Sequence, residues 1–535
     1  GPYTADNNDF GLKFNFEGEN SKYVRDYIVN AGINWLDNYK ADGLRLDMTK
    51  YMDSDFTMKE IAAEIGYHFP DKIIIAEDSR EHVNTNDYSY WLDNNELHDK
   101  RITLPLGPDE SLSGESEDKH CAFIDKIDKA IVEFNNECSN RHSLIRNLGY
   151  DSEWDFAYHH SLDNAIHSHG DGRETEYSQE AARIASDSLI NAIYQAQNTI
   201  KYVASHDEIG NIDGTRPVIK YLVPKLGLKN HIILDEEDLR RAEDFARHKN
   251  TSFEIAKNVV LHQKMNLAVE KLSLMFAEGK LDTYKYNTYD AFYDDVLQNL
   301  GISKESNLTY NKFERCFEKS IDQHKMAQAL TYAVPGPKLV FMGDENLELT
   351  SFRFFRQFMK PEYESYLKVE KGYEPGLAAF QASKLDNISY SDKAKDRMLG
   401  FKELTKDLNR INRENPALTK GYLTLNKDGL RTAVVHDDAI ALHTRDEKSG
   451  NEIFVITNFK DNNYPSVAAE EYEMPFPEGK WVEILNTDDE KYGGSGEYIN
   501  DDSVIEGFGT FDEAHKASIK LKGCSTVYFK RIDFQ

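Results

Sequence analysis

The sequence predicts an α/β protein with a barrel-type core of parallel strands, a helical insertion and a C-terminal all-β sandwich domain. Three observations support this fold class. Two short apolar strands flank a helix between residues 43 and 77, and a stretch rich in Ala, Leu, Glu and Lys begins near 223. After Pro416, alternating apolar segments are separated by Gly, Asn and Asp clusters, as in β domains. We expect barrel parts over 1–222 and 319–415, the insertion over 223–318, and the sandwich over 416–535.

The first βαβ unit can be followed residue by residue. A helix is predicted over 20–39, because apolar residues recur there at three- and four-residue spacing. A strand at 44–47, a helix at 58–67 and a strand at 73–76 come next. Two such strands joined by a helix should be parallel neighbours. Further strands are expected at 202–205 and 339–342, with a weaker signal at 154–160.

Composition narrows the possible partners. The chain has 64 Lys and Arg against 93 Asp and Glu, which gives a formal net charge of −29. A surface this acidic repels phosphate backbones and anionic lipids, so we expect neither a nucleic acid nor a membrane as partner. The four cysteines are dispersed without metal-binding spacing, which favours reduced thiols in a cytoplasmic protein. No cofactor is predicted.

Three predicted apolar strands each end in an acidic residue. These residues are Asp47, Glu77 and Asp207. In α/β barrels, functional groups gather at the carboxyl ends of the strands. Neighbouring parallel strands lie about 4.8 Å apart, close to the ~5–5.5 Å between the two carboxylates of retaining glycosidases. The spacing therefore favours a double displacement at a sugar.

Arg45 supports the same interpretation. It lies two residues before Asp47, so the pleat directs both side chains to one face, where the guanidinium should keep Asp47 ionised. Glu77 follows four apolar residues and should retain its proton, as a general acid must. The alternative is that these acids only cap helices or face solvent, as strand-end acids commonly do.

Three segments carry a family resemblance. Residues 41–47 (Ala-Asp-Gly-Leu-Arg-Leu-Asp) resemble the nucleophile motif of the α-amylase family of glycoside hydrolases. Residues 75–78 resemble its acid/base motif and 205–208 its His-Asp motif, in the family's order. The resemblance implies that Asp47 is the nucleophile, Glu77 the acid/base, and Asp207 a third carboxylate that stabilises the transition state.

The resemblance also implies substrate-binding residues. Arg45 would orient the nucleophile, and His206 would hydrogen-bond the sugar in the cleavage subsite. Lys50 stands at the family's substrate-contacting lysine, while Tyr51 replaces the histidine that often follows it. Glu208, next to the His-Asp pair, completes this predicted set.

Two subgroups of the family are similar to this chain. Malto-oligosyltrehalose trehalohydrolases are similar at 209–211, 339–345, 351–355 and 383–386, and glycogen branching enzymes at 205–208, 485–488 and 492–496. The leading hypothesis is a retaining hydrolase of α-1,4-linked glucans or maltooligosaccharides, with maltooligosyl-trehalose as one candidate substrate. A branching transglycosylase and an inactive relative that only binds glucan are the alternatives.

The resemblance further implies an incomplete (β/α)8-type barrel. Only 42 residues precede Gly43, and we expect them to form a loop and one helix. The predicted strands therefore correspond to the family's fourth to eighth strands. Gly1-Pro2 resembles the residues just after the family's early motif, so we expect the N-terminal part of the barrel to be missing. The family's calcium ligand would lie largely in that part, so no metal is predicted. If that part is missing, a chain that is inactive although it retains all three carboxylates is one of the alternatives.

Overall fold

A computed structural model of the chain describes residues 4–8, 11–16, 21–52, 55–77, 149–170, 182, 185–186, 188–190, 192–193, 199–210, 214–249, 251–351, 391–419, 422–423, 433–436, 439–460, 472–500, 503–509 and 516–533. The chain divides into two compact units. The first comprises 1–160 and 190–201, and the second comprises 161–189 and 202–535.

The first unit is built around a parallel sheet. The elements along the chain are β1 (Thr4–Asn8), β2 (Gly11–Phe14), α1 (Ser21–Asp37), β3 (Gly43–Leu46), α2 (Asp55–His68), β4 (Ile73–Ala76) and β5 (Ser152–Glu153). Strands β3, β4 and β5 form a three-stranded sheet in that order, and both of its pairings are parallel. This confirms the predicted βαβ pairing. The antiparallel hairpin β1–β2 was predicted as a loop, because its Asp and Asn residues have low strand propensity.

Helices α1 and α2 both contribute apolar side chains to the core of this unit. Val24, Leu36, Ile61 and Ile65 from these helices pack with Ile74 of β4. The start of β3 requires a glycine, because a Cβ atom on Gly43 would lie 2.5 Å from the Ile73 carbonyl oxygen. The close approach of β3 and β4 therefore depends on that residue.

Helix α3 (Phe156–Gly170) and strand β6 (Lys201–Tyr202) follow, and most of the described part of the second unit up to residue 414 is helical. Its longer elements are α5 (Pro217–Leu226), α6 (Glu236–Lys249), α7 (Phe253–Ala277), α9 (Tyr310–Ala333) and α10 (Asp392–Glu414), with the short helices α4 (His206–Gly210) and α8 (Tyr289–Phe292) and strand β7 (Lys338–Leu339) between them. Side chains of α5, α7, α9 and α10 share one apolar core. The predicted limits of the helical insertion, at 222/223 and 318/319, stay predictions.

The strand predictions for this part were too long. The segments expected at 202–205 and 339–342 form only the two-residue strands β6 and β7. The segment expected at 154–160 is mostly helix, because Asp155 accepts a hydrogen bond from the Tyr158 amide (2.8 Å) and so caps α3.

The C-terminal part is all-β after one turn of helix, α11 (Pro416–Thr419). Its strands are β8 (Tyr422–Leu423), β9 (Ala433–His436), β10 (Ala439–Asp446), β11 (Asn451–Asn458), β12 (Tyr472–Pro475), β13 (Gly479–Asn486), β14 (Ile505–Gly507), β15 (Lys516–Ile519) and β16 (Ser525–Arg531). Seven of them form an antiparallel sheet, while β12 pairs with β15. Apolar residues of both sheets share a core around Trp481 and Phe454, as the predicted sandwich requires.

Candidate active site

The register of the parallel sheet brings two of the predicted acids together. Leu46 pairs with Ala76, so the next residues, Asp47 and Glu77, lie side by side at the carboxyl ends of β3 and β4. Backbone hydrogen bonds continue the ladder past the strands, from the Glu77 amide to the Leu46 carbonyl (2.9 Å) and from the Thr49 amide to the Glu77 carbonyl (3.0 Å). Strand-like backbone pairing therefore continues as far as the two acids, just beyond the ends of β3 and β4.

Arg45 connects the two carboxylates. Its Nη1 donates to Asp47 Oδ1, and its Nη2 lies 2.9 Å from Glu77 Oε2. Both acids thus contact one guanidinium, as the pleat predicted for Arg45 and Asp47. The Asp47 side chain is 72% exposed and that of Glu77 6% exposed, so one acid faces solvent while the other is enclosed.

The surroundings of Glu77 are more polar than its sequence indicates. We expected apolar residues and the charge of Asp47, but Glu77 Oε2 also accepts a hydrogen bond from the Met48 amide at 2.9 Å. Met48 adopts a left-handed backbone with φ of 50°, which turns the chain directly after Asp47. This turn and Arg45 together fix the orientation of the Glu77 carboxylate.

Trp154 completes this cluster. It follows β5 as Glu77 follows β4, and its ring covers the Arg45 guanidinium, with 4.2 Å between Cζ and the ring centroid. An aromatic residue at this place in the sequence suits either sugar stacking or core packing, and the Trp154 side chain is buried. Its place after the third strand of the sheet is the signal that could have found it.

The His-Asp motif lies in the second unit and has a different backbone from the one expected. Asp207 does not end a strand, because β6 stops at Tyr202 and α4 starts at His206. Ser205 Oγ accepts from the Asp207 amide (3.1 Å), and Glu208 Oε2 accepts from the Ser205 amide (2.7 Å). This is a capping box, which favours a helix start over a longer strand.

The structure therefore brings together Arg45, Asp47 and Glu77 from the predicted set. Asp207, with His206 Nε2 at 3.6 Å from its Oδ1, belongs to the other unit, so the convergence of all three carboxylates stays a prediction. The sugar contacts of His206 and Glu208 also stay predictions. The side chains of Lys50 and Tyr51 lie outside the described residues.

A second arginine–carboxylate centre lies buried in the second unit. Arg216 Nη1 donates to Asp344 Oδ1 (3.0 Å) and to the Met342 carbonyl (2.9 Å), and Nε donates to the Thr350 carbonyl (3.1 Å). Burial raises the pKa of Asp344 to about 7, although Arg216 opposes that shift. Burial, with the charge of Arg216, lowers the pKa of His324 to about 3.

The described part of the chain offers neither a metal site nor a membrane span. It contains no cluster of three or more His, Cys, Asp or Glu side chains arranged to hold a metal ion. It also contains no helix with the length and apolar character needed to span a membrane.

Known proteins share features with this chain. Residues 434–532 match the family model described as the α-amylase C-terminal all-beta domain. Curated relatives include the 1,4-alpha-glucan branching enzyme GlgB of Cutibacterium acnes, 34% identical over 113 residues, and that of Rhodopirellula baltica, 24% identical over 251 residues. These matches support the resemblance of this chain to the α-amylase family.

The matches to these family members are partial. They cover 20% and 46% of this chain and only 16% and 27% of the two branching enzymes. Because the chain spans such a small part of these relatives, their activity bears on it only as a proposal.

Solved structures of the α-amylase family are also similar to this chain, though distantly. An Anoxybacillus α-amylase has a TM-score of 0.43 at 10% identity, over 100% of this chain and 71% of that one. A pullulanase from Anoxybacillus sp. LM18-11, solved with maltotetraose, has a TM-score of 0.42 at 13% identity, over 98% of this chain and 48% of that one.

Proposed function

We propose that this chain carries the nucleophile and the acid/base of a retaining enzyme that acts on α-1,4-linked glucans or maltooligosaccharides. The observation that carries the proposal is the Arg45 guanidinium, which contacts both Asp47 and Glu77 at the ends of two paired parallel strands. Two carboxylates held this close suit a double displacement, because an inverting enzyme needs space between them for a water molecule.

In the proposed reaction, Asp47 attacks the anomeric carbon while Glu77 protonates the leaving glycosidic oxygen. The C–O bond to the leaving sugar breaks as the bond to the Asp47 carboxylate forms, which gives a glycosyl-enzyme. Glu77 then removes a proton from the acceptor that releases the sugar. The exposed position of Asp47 supports its role as nucleophile, since a substrate can reach it.

The acceptor decides between two functions. Water gives hydrolysis, our leading assignment, with maltooligosyl-trehalose as one candidate substrate. A sugar hydroxyl gives transglycosylation, and the match to curated branching enzymes favours that second candidate. The acid pair serves both reactions, because both pass through the same covalent intermediate.

Product analysis tests the proposal. The chain is incubated with maltooligosaccharides, maltooligosyl-trehalose and amylose, and the products are resolved by linkage. Both routes release the leaving sugar, free trehalose included. Hydrolysis also gives a net gain of reducing ends, whereas transfer gives new α-1,6 branches without that gain. Glucan binding without any product would contradict the catalytic proposal and leave the binding-only alternative.

A pair of variants assigns the nucleophile. Asp47→Asn should abolish turnover, with a loss on the order of 10⁴-fold or more, because the amide cannot form the glycosyl ester. Asp42→Asn is the matched control: Asp42 precedes the other end of β3 and its side chain is fully exposed. Activity retained in Asp47→Asn would remove this residue from the nucleophile role.

A further inference from the structure

Trp154 occupies a fixed place beside the acid pair. Strand pairing aligns Ala76 with Glu153, so Trp154 is the lateral neighbour of Glu77. Its amide donates to the Ala76 carbonyl (3.2 Å), and its backbone forms a parallel bridge with Ile200 on the other side. Backbone hydrogen bonding on both sides thus sets the position from which the indole extends.

The indole contacts the guanidinium of Arg45, which links the two acids. The distance of 4.2 Å between Arg45 Cζ and the ring centroid is well inside the ~6 Å range of cation–π contacts. Arg45 Nε is buried and has no hydrogen-bond partner among the described residues. Contact with the flat face of Trp154 therefore constrains the plane of the guanidinium, and that plane determines where Nη1 and Nη2 point.

We propose that Trp154 is a positioning residue: by holding the plane of Arg45, it sets the relative placement of the Asp47 and Glu77 carboxylates. This inference rests on the proposed function, since it assigns Trp154 a role in the same reaction. In the proposed mechanism Trp154 acts through Arg45. The competing explanation is that Trp154 only fills the core of the first unit.

A double-mutant cycle in the full chain separates the two explanations. Trp154→Leu keeps an apolar side chain but removes the aromatic face, and Arg45→Lys keeps the charge but removes the planar fork. We expect Trp154→Leu to lower kcat about 30-fold with KM changed less than about threefold, and Trp154→Phe to restore most of the rate. In the Arg45→Lys background, Trp154→Leu should lower kcat less than about threefold, because the stacked plane is already lost.

Equal losses of kcat in both backgrounds would overturn the proposal, because a packing role does not depend on Arg45. Trp481→Leu is the matched control: Trp481 is equally enclosed, but in the C-terminal sandwich. We expect it to lower the thermal midpoint, and its effect on kcat should be the same with Arg45 and with Lys at position 45.

A fluorescence measurement tests the contact without any need for turnover. The chain has four tryptophans, and the contribution of Trp154 is the difference between the unaltered chain and Trp154→Phe. Arg45→Lys should change the emission spectrum only when Trp154 is present. The same spectral change in both backgrounds would overturn the inference. Absent turnover in the unaltered chain, with the spectral coupling intact, would count against the proposed function and not against the contact.

Discussion

Two arginine–carboxylate centres of this protein have opposite surroundings. Arg45 contacts Asp47, whose side chain is 72% exposed, and Glu77, whose side chain is 6% exposed. Arg216 and Asp344 are both only 4% exposed, and two backbone carbonyls occupy further donors of Arg216. The first centre is open at one carboxylate, whereas the second is closed.

Under the proposed function, this difference in exposure distinguishes a reactive centre from a structural one. A closed ion pair contributes little net stability, because its Coulombic attraction mainly offsets the cost of desolvation. Removing one partner is nevertheless costly, since it leaves a buried charge. An open pair costs less to form and leaves an oxygen that a substrate can reach. Variants of the closed centre should therefore change folding stability, and variants of the open centre should change catalysis.

The largest effect is expected at the closed centre. Arg216→Ala should lower the free energy of unfolding by about 3–5 kcal/mol, because it leaves Asp344 and two carbonyls without their donor. Urea unfolding followed by circular dichroism measures this loss. Arg410→Ala, which removes a half-exposed pair on α10, is the control and should cost less than about 1 kcal/mol. Similar losses in both variants would contradict the distinction.

Arg45→Ala should mainly lower the catalytic rate rather than the folding stability. Loss of the donor that orients both carboxylates should lower kcat by about 10²–10³-fold, the range seen when one preorganised donor is removed from an active site. Initial rates on a maltooligosaccharide and the thermal midpoint are measured together. Lys72→Ala, at the other end of the same two strands, is the control. A large fall in the thermal midpoint without a specific loss of the initial rate would show that Arg45 mainly stabilises the fold.

The next prediction uses the pKa of Asp344, which burial raises to about 7 from an ordinary value of 3.8. Between these two values the folded chain binds more protons than the unfolded chain, so the stability from this group is lost as the pH rises through 7. The loss between pH 5 and pH 8 should be about 2–3 kcal/mol. Asp344→Asn should remove that part of the pH dependence, which unfolding curves at both pH values can measure. Parallel pH dependences in the two chains would contradict the shift.

The open centre was largely predictable from the sequence, and the reason is local geometry. The two-residue step of the pleat places Arg45 and Asp47 on one face, and parallel pairing places Glu77 beside them. Both relations span short distances along one βαβ unit, so few alternative arrangements compete.

Other parts depended on interactions that strand periodicity does not encode. The capping box Ser205-x-x-Glu208 starts a helix where an apolar run indicated a strand, so the backbone of Asp207 was wrongly predicted. Trp154 follows a strand of two residues, which is too short to show alternation. The closed centre joins Arg216 to a residue 128 positions later, and a pair so distant leaves no local pattern.

The smallest predicted effect concerns His324. The positive charge of Arg216 acts on this residue, and its ring packs on Phe401 with 4.7 Å between the ring centroids. Neither ring nitrogen has a hydrogen-bond partner within the described structure. Burial lowers its pKa to about 3, so between pH 6.5 and 3 the unfolded chain binds the extra proton and stability falls as the pH falls. His324→Phe should remove this loss, worth about 2 kcal/mol between pH 7 and pH 5, because phenylalanine fills the same space without a titratable group. Unfolding curves at both pH values measure it, and an unchanged difference between them would show that His324 is hydrated in the folded chain.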